Sequence, residues 1–227
     1  MAKIFIVGTF DCTLESLLQV DLMQYFERLS LSVSGVLYKT SNGVAPRRGP
    51  SPHKIEWKNC TTIWTEDFND PNTVKELAAC QPDLLIYAGG RDILRQPLLD
   101  AARLGCLGGH YGELPTIRGM GTVEWSVLSG VEPAVAIQRI DAGIDTGDIV
   151  MQAKVPLVKD DTFTDIRDRS YAMTKMMLAL AAEQLLSGNA RPVMQDKEQG
   201  RQYFRMHQAI LDVAVEKLSK RLSQAYG

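Results

Sequence analysis

The sequence predicts an α/β fold: a doubly wound, mostly parallel sheet with a C-terminal helical extension. Three observations carry this. Short apolar, β-branched runs alternate with stretches of helical periodicity, the pattern of strands joined by crossover helices. One run, Pro82–Ala88 (PDLLIYA), is almost continuously apolar, as a central parallel strand covered on both faces requires. The chain has 227 residues, 45% hydrophobic and 23% charged, enough for one full core.

The elements follow in order. Lys3–Gly8 (KIFIVG) reads as a buried first strand and Leu14–Leu29 as a helix. Leu31–Tyr38 (LSVSGVLY) alternates and is β-branched, giving a second strand. Residues 39–58 contain Gly43, Pro46, Gly49, Pro50 and Pro52 and read as a long surface loop. Thr61–Trp64 is a short strand. Asp70-Pro71-Asn72 starts a helix to about Ala79, because aspartate caps helices and proline suits the first turn. Gln96–Leu104 reads as a helix closed by Gly105. Ala134–Ile140 and Asp148–Val155 read as a later strand pair. Thr162–Leu186 is a long helix with Met173, Met176, Met177 and Leu180 as core packing. Tyr203–Tyr226 is an amphipathic helix with Leu211, Ala214, Leu218 and Leu222 on one stripe. The polar connector Gly188–Gly200 divides the chain into a main domain, 1–188, and an extension, 189–227. The last helix can pack on that domain or carry a homodimer.

A net charge of −2 gives no basic footprint, so nucleic acid is not expected and a small molecule is the default partner. Cys12, Cys60, Cys80 and Cys106 form no C-x-x-C pair and no metal-ligand spacing with His53, His110 or His207. They read as reduced thiols of a cytoplasmic protein, with no metal. The apolar run Ile4–Val7 is too short for a leader, and no run of about 18 apolar residues spans a membrane. The turn Gly8-Thr9-Phe10-Asp11-Cys12 lacks both G-x-G-x-x-G and the P-loop pattern, which disfavours NAD and ATP there. It can still line an acceptor pocket, since ligands of open α/β sheets sit at the carboxyl ends of strands.

His110 follows Leu107-Gly108-Gly109 at a strand end, where α/β enzymes place reactive groups; a hydrogen-bonded structural histidine is the plainer reading. His207 reads as solvated, and His53 is assigned nothing. Asp145 lies in Asp141-Ala142-Gly143-Ile144-Asp145-Thr146-Gly147-Asp148. A turn explains the glycines, but carboxylates gathered this closely need compensation for their repulsion.

At these residues the sequence resembles the 10-formyltetrahydrofolate-dependent formyltransferases, in particular the catalytic domain of methionyl-tRNA formyltransferases and the sugar N-formyltransferases. His110, Leu114-Pro115, Arg118-Gly119, Trp125 and Gly130 match one family signature in GCLGGHYGELPTIRGMGTVEWSVLSG, and IDAGIDTGDI matches a second with its aspartate on Asp145. Pro46–Pro52 (PRRGPSP) resembles a loop of the methionyl-tRNA enzymes. The resemblance covers residues 3–188. It implies a Rossmann-like fold and formyl transfer from folate N10 to an amine. His110 would polarise the one-carbon unit, and Asp145 would orient His110 and move protons. Asp92, Ile93, Leu94, Asp141, Ala142, Gly143 and Ile144 would line the pterin pocket of a tetrahydrofolate derivative.

The sequence departs from the family where an asparagine is expected two residues before the histidine: here it is Gly108. Glycine offers no side-chain donor, and loss of one oxyanion donor costs roughly 2.7–4 kcal/mol of transition-state stabilisation. Tyr111, Glu113 or a water can replace it, the reaction can be at another one-carbon level or hydrolysis of the donor, or the protein can bind folate without catalysis. Glu113 is a second departure, an added carboxylate or an exposed loop charge. With no basic excess and only a helix beyond the domain, the acceptor expected is a small amine.

Overall fold

A computed structural model describes residues 2–9, 22–39, 60–89 and 92–226. The strands are β1 (Ile4–Thr9), β2 (Val33–Lys39), β3 (Thr61–Trp64), β4 (Leu84–Gly89), β5 (Cys106–His110), β6 (Ile117–Gly119), β7 (Ala134–Arg139), β8 (Ile149–Lys154) and β9 (Arg201–Tyr203). Residues 22–28 are helical (α1), followed by α2 (Pro71–Ala79), α3 (Gln96–Leu99), α4 (Thr122–Ser129), α5 (Phe163–Leu186) and α6 (Gln208–Tyr226). The main sheet has seven strands in the order β3-β2-β1-β4-β5-β7-β8; β6 and β9 form a separate pair. Pairing is parallel from β3 through β5, and β7 and β8 are antiparallel. Chain order reverses between β1 and β4, whose carboxyl ends, Thr9 and Gly89, flank the position where such sheets bind ligands.

The chain divides into two compact units. One comprises residues 1–108, 139–142 and 178–190; the other comprises 109–138, 143–177 and 191–227. The first has an apolar core in which Phe5, Val7, Leu37, Phe68, Leu77 and Leu85 are each at most 1% exposed. Asp70 caps α2 by accepting from the backbone N–H groups of Asn72 (2.9 Å) and Thr73 (3.1 Å), with Pro71 at the first position.

In the second unit, α6 packs on α4. It buries Ala214, Leu218 and Leu222, the expected stripe, with Leu211 half-buried. Lys217 and Arg221 donate to the Leu128 and Val131 carbonyls at the end of α4. No described helix is long and apolar enough to cross a membrane.

Three expectations are corrected. The helix expected over 96–104 ends at Leu99, because the Arg103 and Leu104 N–H groups donate to Pro82 and Asp83 instead of continuing it. The last helix starts at Gln208 rather than Tyr203, because Arg201–Tyr203 pairs as a strand with Ile117–Gly119. His207 stands just before that helix, and its Nδ1 accepts from the Ala209 N–H at 3.3 Å. In α5 Met177 is buried, but Met176 is 40% exposed and so is not core. Of the expected helix 14–29, residues 14–21 lie outside the described residues, as do 40–58 of the expected loop, including Pro46–Pro52 and His53.

Candidate active site

β5 ends on His110, whose side chain is 4% exposed. Its Nε2 lies 2.7 Å from the Ile117 carbonyl oxygen. A carbonyl only accepts, so Nε2 carries hydrogen there. The other nitrogen, Nδ1, lies 3.3 Å from Oδ1 of Asp145. The ring therefore stands between two acceptors.

Asp145 takes a left-handed backbone conformation, φ 54°, which aspartate tolerates better than most residues. Its Oδ2 accepts from the Gly119 N–H at 2.9 Å and its Oδ1 from Gln138 Nε2 at 2.9 Å. Burial pushes its carboxyl up. The hydrogen bond and charge of His110, then the Gly119 N–H and Gln138, outweigh burial and hold it below the usual carboxylate range. At one-fifth exposed, Asp145 is the more accessible member of the pair. The carboxylate is thereby held ionised against the ring, an arrangement that can orient His110 and relay a proton in passing.

Gly108 is buried on the same strand. A Cβ there would lie 2.7 Å from Ile140 Cδ1 and 3.0 Å from Cγ1. Ile140 thus fills the space a side chain at position 108 would need. Glu113 pairs with Lys154 Nζ at 3.0 Å. Tyr111 packs edge-on against Tyr171, with ring centroids 4.7 Å apart; burial first, and then Tyr171, push its hydroxyl up, so it remains a neutral donor.

In the first unit, Lys39 Nζ lies 2.5 Å from Asp92 Oδ1. The Asp92 N–H donates to the Tyr87 hydroxyl at 3.1 Å, and that hydroxyl donates to the Asp92 carbonyl at 3.3 Å. Asn69 Nδ2 donates to the Ile93 carbonyl at 2.9 Å. The loop is thus fixed through its backbone and presents Ile93 outward, 64% exposed, while Leu94 is core. Of residues 141–144, Asp141 is half-buried; Ala142, Gly143 and Ile144 are exposed. Gly8 and Thr9 are buried at the end of β1; Phe10, Asp11 and Cys12 lie outside the described residues.

Several supporting groups escape a reading of the sequence. Gln138 is 5% exposed at the end of the apolar strand AVAIQR, a placement that itself signals a hydrogen-bonded role. Gln195, also 5% exposed, donates from Nε2 to the carbonyls of Asp145 (3.2 Å) and Gly147 (2.5 Å). Arg118 reaches the carbonyls of Asp196, Lys197 and Gln199 at 3.2, 3.3 and 2.6 Å. Nothing in a polar connector sequence announces either partnership.

Methionyl-tRNA formyltransferase of Stutzerimonas stutzeri is 32% identical to this chain over 150 residues, covering 65% of this chain and 48% of that protein. The Pseudomonas putida protein of the same name is 36% identical over 122 residues, covering 53% and 39%. The chain thus spans about half the length, or less, of these curated relatives. A sugar N-formyltransferase structure from a Shewanella species superposes with a TM-score of 0.66 at 17% identity, covering 95% of this chain and 87% of that one. An N-formyltransferase of Helicobacter canadensis, in complex with folinic acid and dTDP-3-aminofucose, gives 0.65 at 17% identity and covers 90% and 71%. Glycinamide ribonucleotide transformylase 1 of Symbiobacterium toebii gives 0.63 at 21%, covering 86% and 95%. These structures share the fold. Residues 8–181 match the formyl transferase family, and over that span the chain supplies both paired residues, His110 and Asp145; the chain belongs to the formyl transferase family.

Proposed function

We propose that the chain transfers a formyl group from a tetrahydrofolate derivative, 10-formyltetrahydrofolate, to the amine of a small molecule in the cytoplasm. The observation that carries this is the His110–Asp145 pair, with its carboxylate fixed by the Gly119 N–H and Gln138. An attacking amine must give up a proton. As its nitrogen bonds to the formyl carbon and the bond from that carbon to folate N10 breaks, the proton passes by way of Asp145, the more exposed member, to N10 of the departing tetrahydrofolate, while Asp145 orients His110. Polarising the formyl oxygen requires His110 Nε2 to release the Ile117 carbonyl. The folate, when bound, supplies an electrophilic formyl carbon. By the family resemblance, the backbone segments 92–94 and 141–144 are those proposed to contact the pterin. The Helicobacter canadensis relative, bound to folinic acid and an amino-sugar nucleotide, supports a folate and a small amine acceptor. A homodimer through α6 belongs to the same reading, and sedimentation tests it.

The test is release of tetrahydrofolate from 10-formyltetrahydrofolate with a panel of amines: nucleotide-linked amino sugars, glycinamide ribonucleotide, amino acids and charged methionyl-tRNA. Release that depends on a small amine is expected. Dependence on methionyl-tRNA alone would overturn the acceptor class. Absence of folate binding would remove every folate reading.

Gly108 and Ile140 favour a second reading. Position 108 offers no donor, and its space is occupied. Chemistry at the methylene or methenyl level, which needs no such donor, or binding without turnover, would fit this; donor hydrolysis is the remaining alternative. Release of tetrahydrofolate without any amine is the outcome that selects hydrolysis.

A further inference from the structure

We propose that Gln195 is a positioning residue for Asp145: from a connector beyond the family match, its amide holds the loop backbone so that the carboxylate stays in register with His110. This rests on the reading that Asp145 acts in the transfer reaction.

The loop needs holding. A non-glycine residue at φ 54° persists only where its surroundings over-determine it. Gln195 supplies that constraint at the backbone: one buried Nε2 serves the carbonyls of Asp145 and Gly147. Among the described residues its Oε1 is buried without a hydrogen-bond partner, so the amide's placement serves the two carbonyls. The family match ends at residue 181, so this residue is assigned by geometry alone.

Gln195 is itself anchored. Two residues earlier, Val193 exchanges backbone hydrogen bonds with Ile149 (2.8 and 2.9 Å), just past the catalytic loop. Arg118 gathers three carbonyls of residues 196–199. Gly200, φ 78°, sits so close to Pro115 that any Cβ would land on its carbonyl oxygen. Arg201–Tyr203 then pairs with β6. That three-residue strand supplies the Ile117 carbonyl to His110 and the Gly119 N–H to Asp145. The connector therefore holds Asp145 twice, through Gln195 at the backbone and through β6 at the carboxylate.

Gln195→Met decides between positioning and packing. Methionine keeps the length and apolar volume of the side chain and removes both N–H donors. Expected is a folded protein whose kcat for formyl transfer is down on the order of tenfold to a hundredfold, with both KM values unchanged. In a carboxyl-carbon NMR titration, the Asp145 signal, faced by His110, Gly119 and Gln138, should move up toward the ordinary carboxylate range. If this variant does not fold, Gln195→Asn, which keeps the amide but shortens its reach, is read the same way. An unchanged Asp145 titration together with wild-type kcat would overturn the proposal. If the wild type transfers no formyl group to any amine, the transfer reading fails, and the titration alone still decides whether Gln195 positions Asp145.

Discussion

At the scale of single residues, the site is a set of donors arranged around one strained aspartate. Asp145→Asn keeps a residue that tolerates the left-handed conformation, so the fold should survive while kcat drops about 10²- to 10⁴-fold in the transfer assay. Asp145→Ala should add a stability loss of about 1–2 kcal/mol in urea melts, because alanine has no local compensation for that conformation. Gly108→Asn alone should destabilise by about 1–3 kcal/mol through collision with Ile140, and Gly108→Asn with Ile140→Val should recover most of it. The double variant is therefore the fair test of whether an amide donor at 108 restores ordinary transfer. His110 and Asp145 are legible in the sequence because each sits in a spaced motif. Gln138 could be read as the polar residue closing an apolar strand. Gln195 could not: a polar residue among polar neighbours has no pattern to depart from.

Secondary elements were legible where a period could register, though α4 went unexpected despite its eight residues. The strands of the main sheet and α2, α5 and α6 each carry enough residues to show a period. β6 and β9 have three residues each, too few for an alternation to register, and their pairing joins positions some 80 residues apart. α3 was over-read for the opposite reason: the apolar periodicity continues past Leu99 while the N–H groups of Arg103 and Leu104 turn to Pro82 and Asp83. This scale has its own prediction. Gly200→Ala combines an unfavourable φ with a backbone collision and should unpair β6 from β9. Hydrogen exchange should then show faster exchange of the Met120 amide, which donates to Tyr203, and of Gly119, which donates to Asp145.

For the molecule as a whole, the fold class and the family were readable, while the strand order and the interleaving of the chain into two units were not, since both depend on which distant segments pack together. Charge gives the whole-molecule prediction. Burial raises the Asp145 carboxyl, but its partners bring it down on balance. The Arg169 guanidinium holds Asp161 down, and the Lys3 N–H and then Arg103 do so for Asp83. A carboxyl whose folded pKa is depressed contributes stability in full above its unfolded value, about 4, and loses it as pH falls through the folded value. Urea midpoints should therefore stay nearly level from pH 7 to about 5 and decline below about 4. Asp161→Asn should make that acid decline shallower. The connector that carries Gln195 has a further consequence, for how such proteins are trimmed. A fragment cut where the family match ends, near residue 181, would keep the His110–Asp145 pair and discard the amide and the strand that brace it. Ancestry marks where the chemistry was inherited; the bonds from 193 to 203 mark how much chain is needed to hold it still.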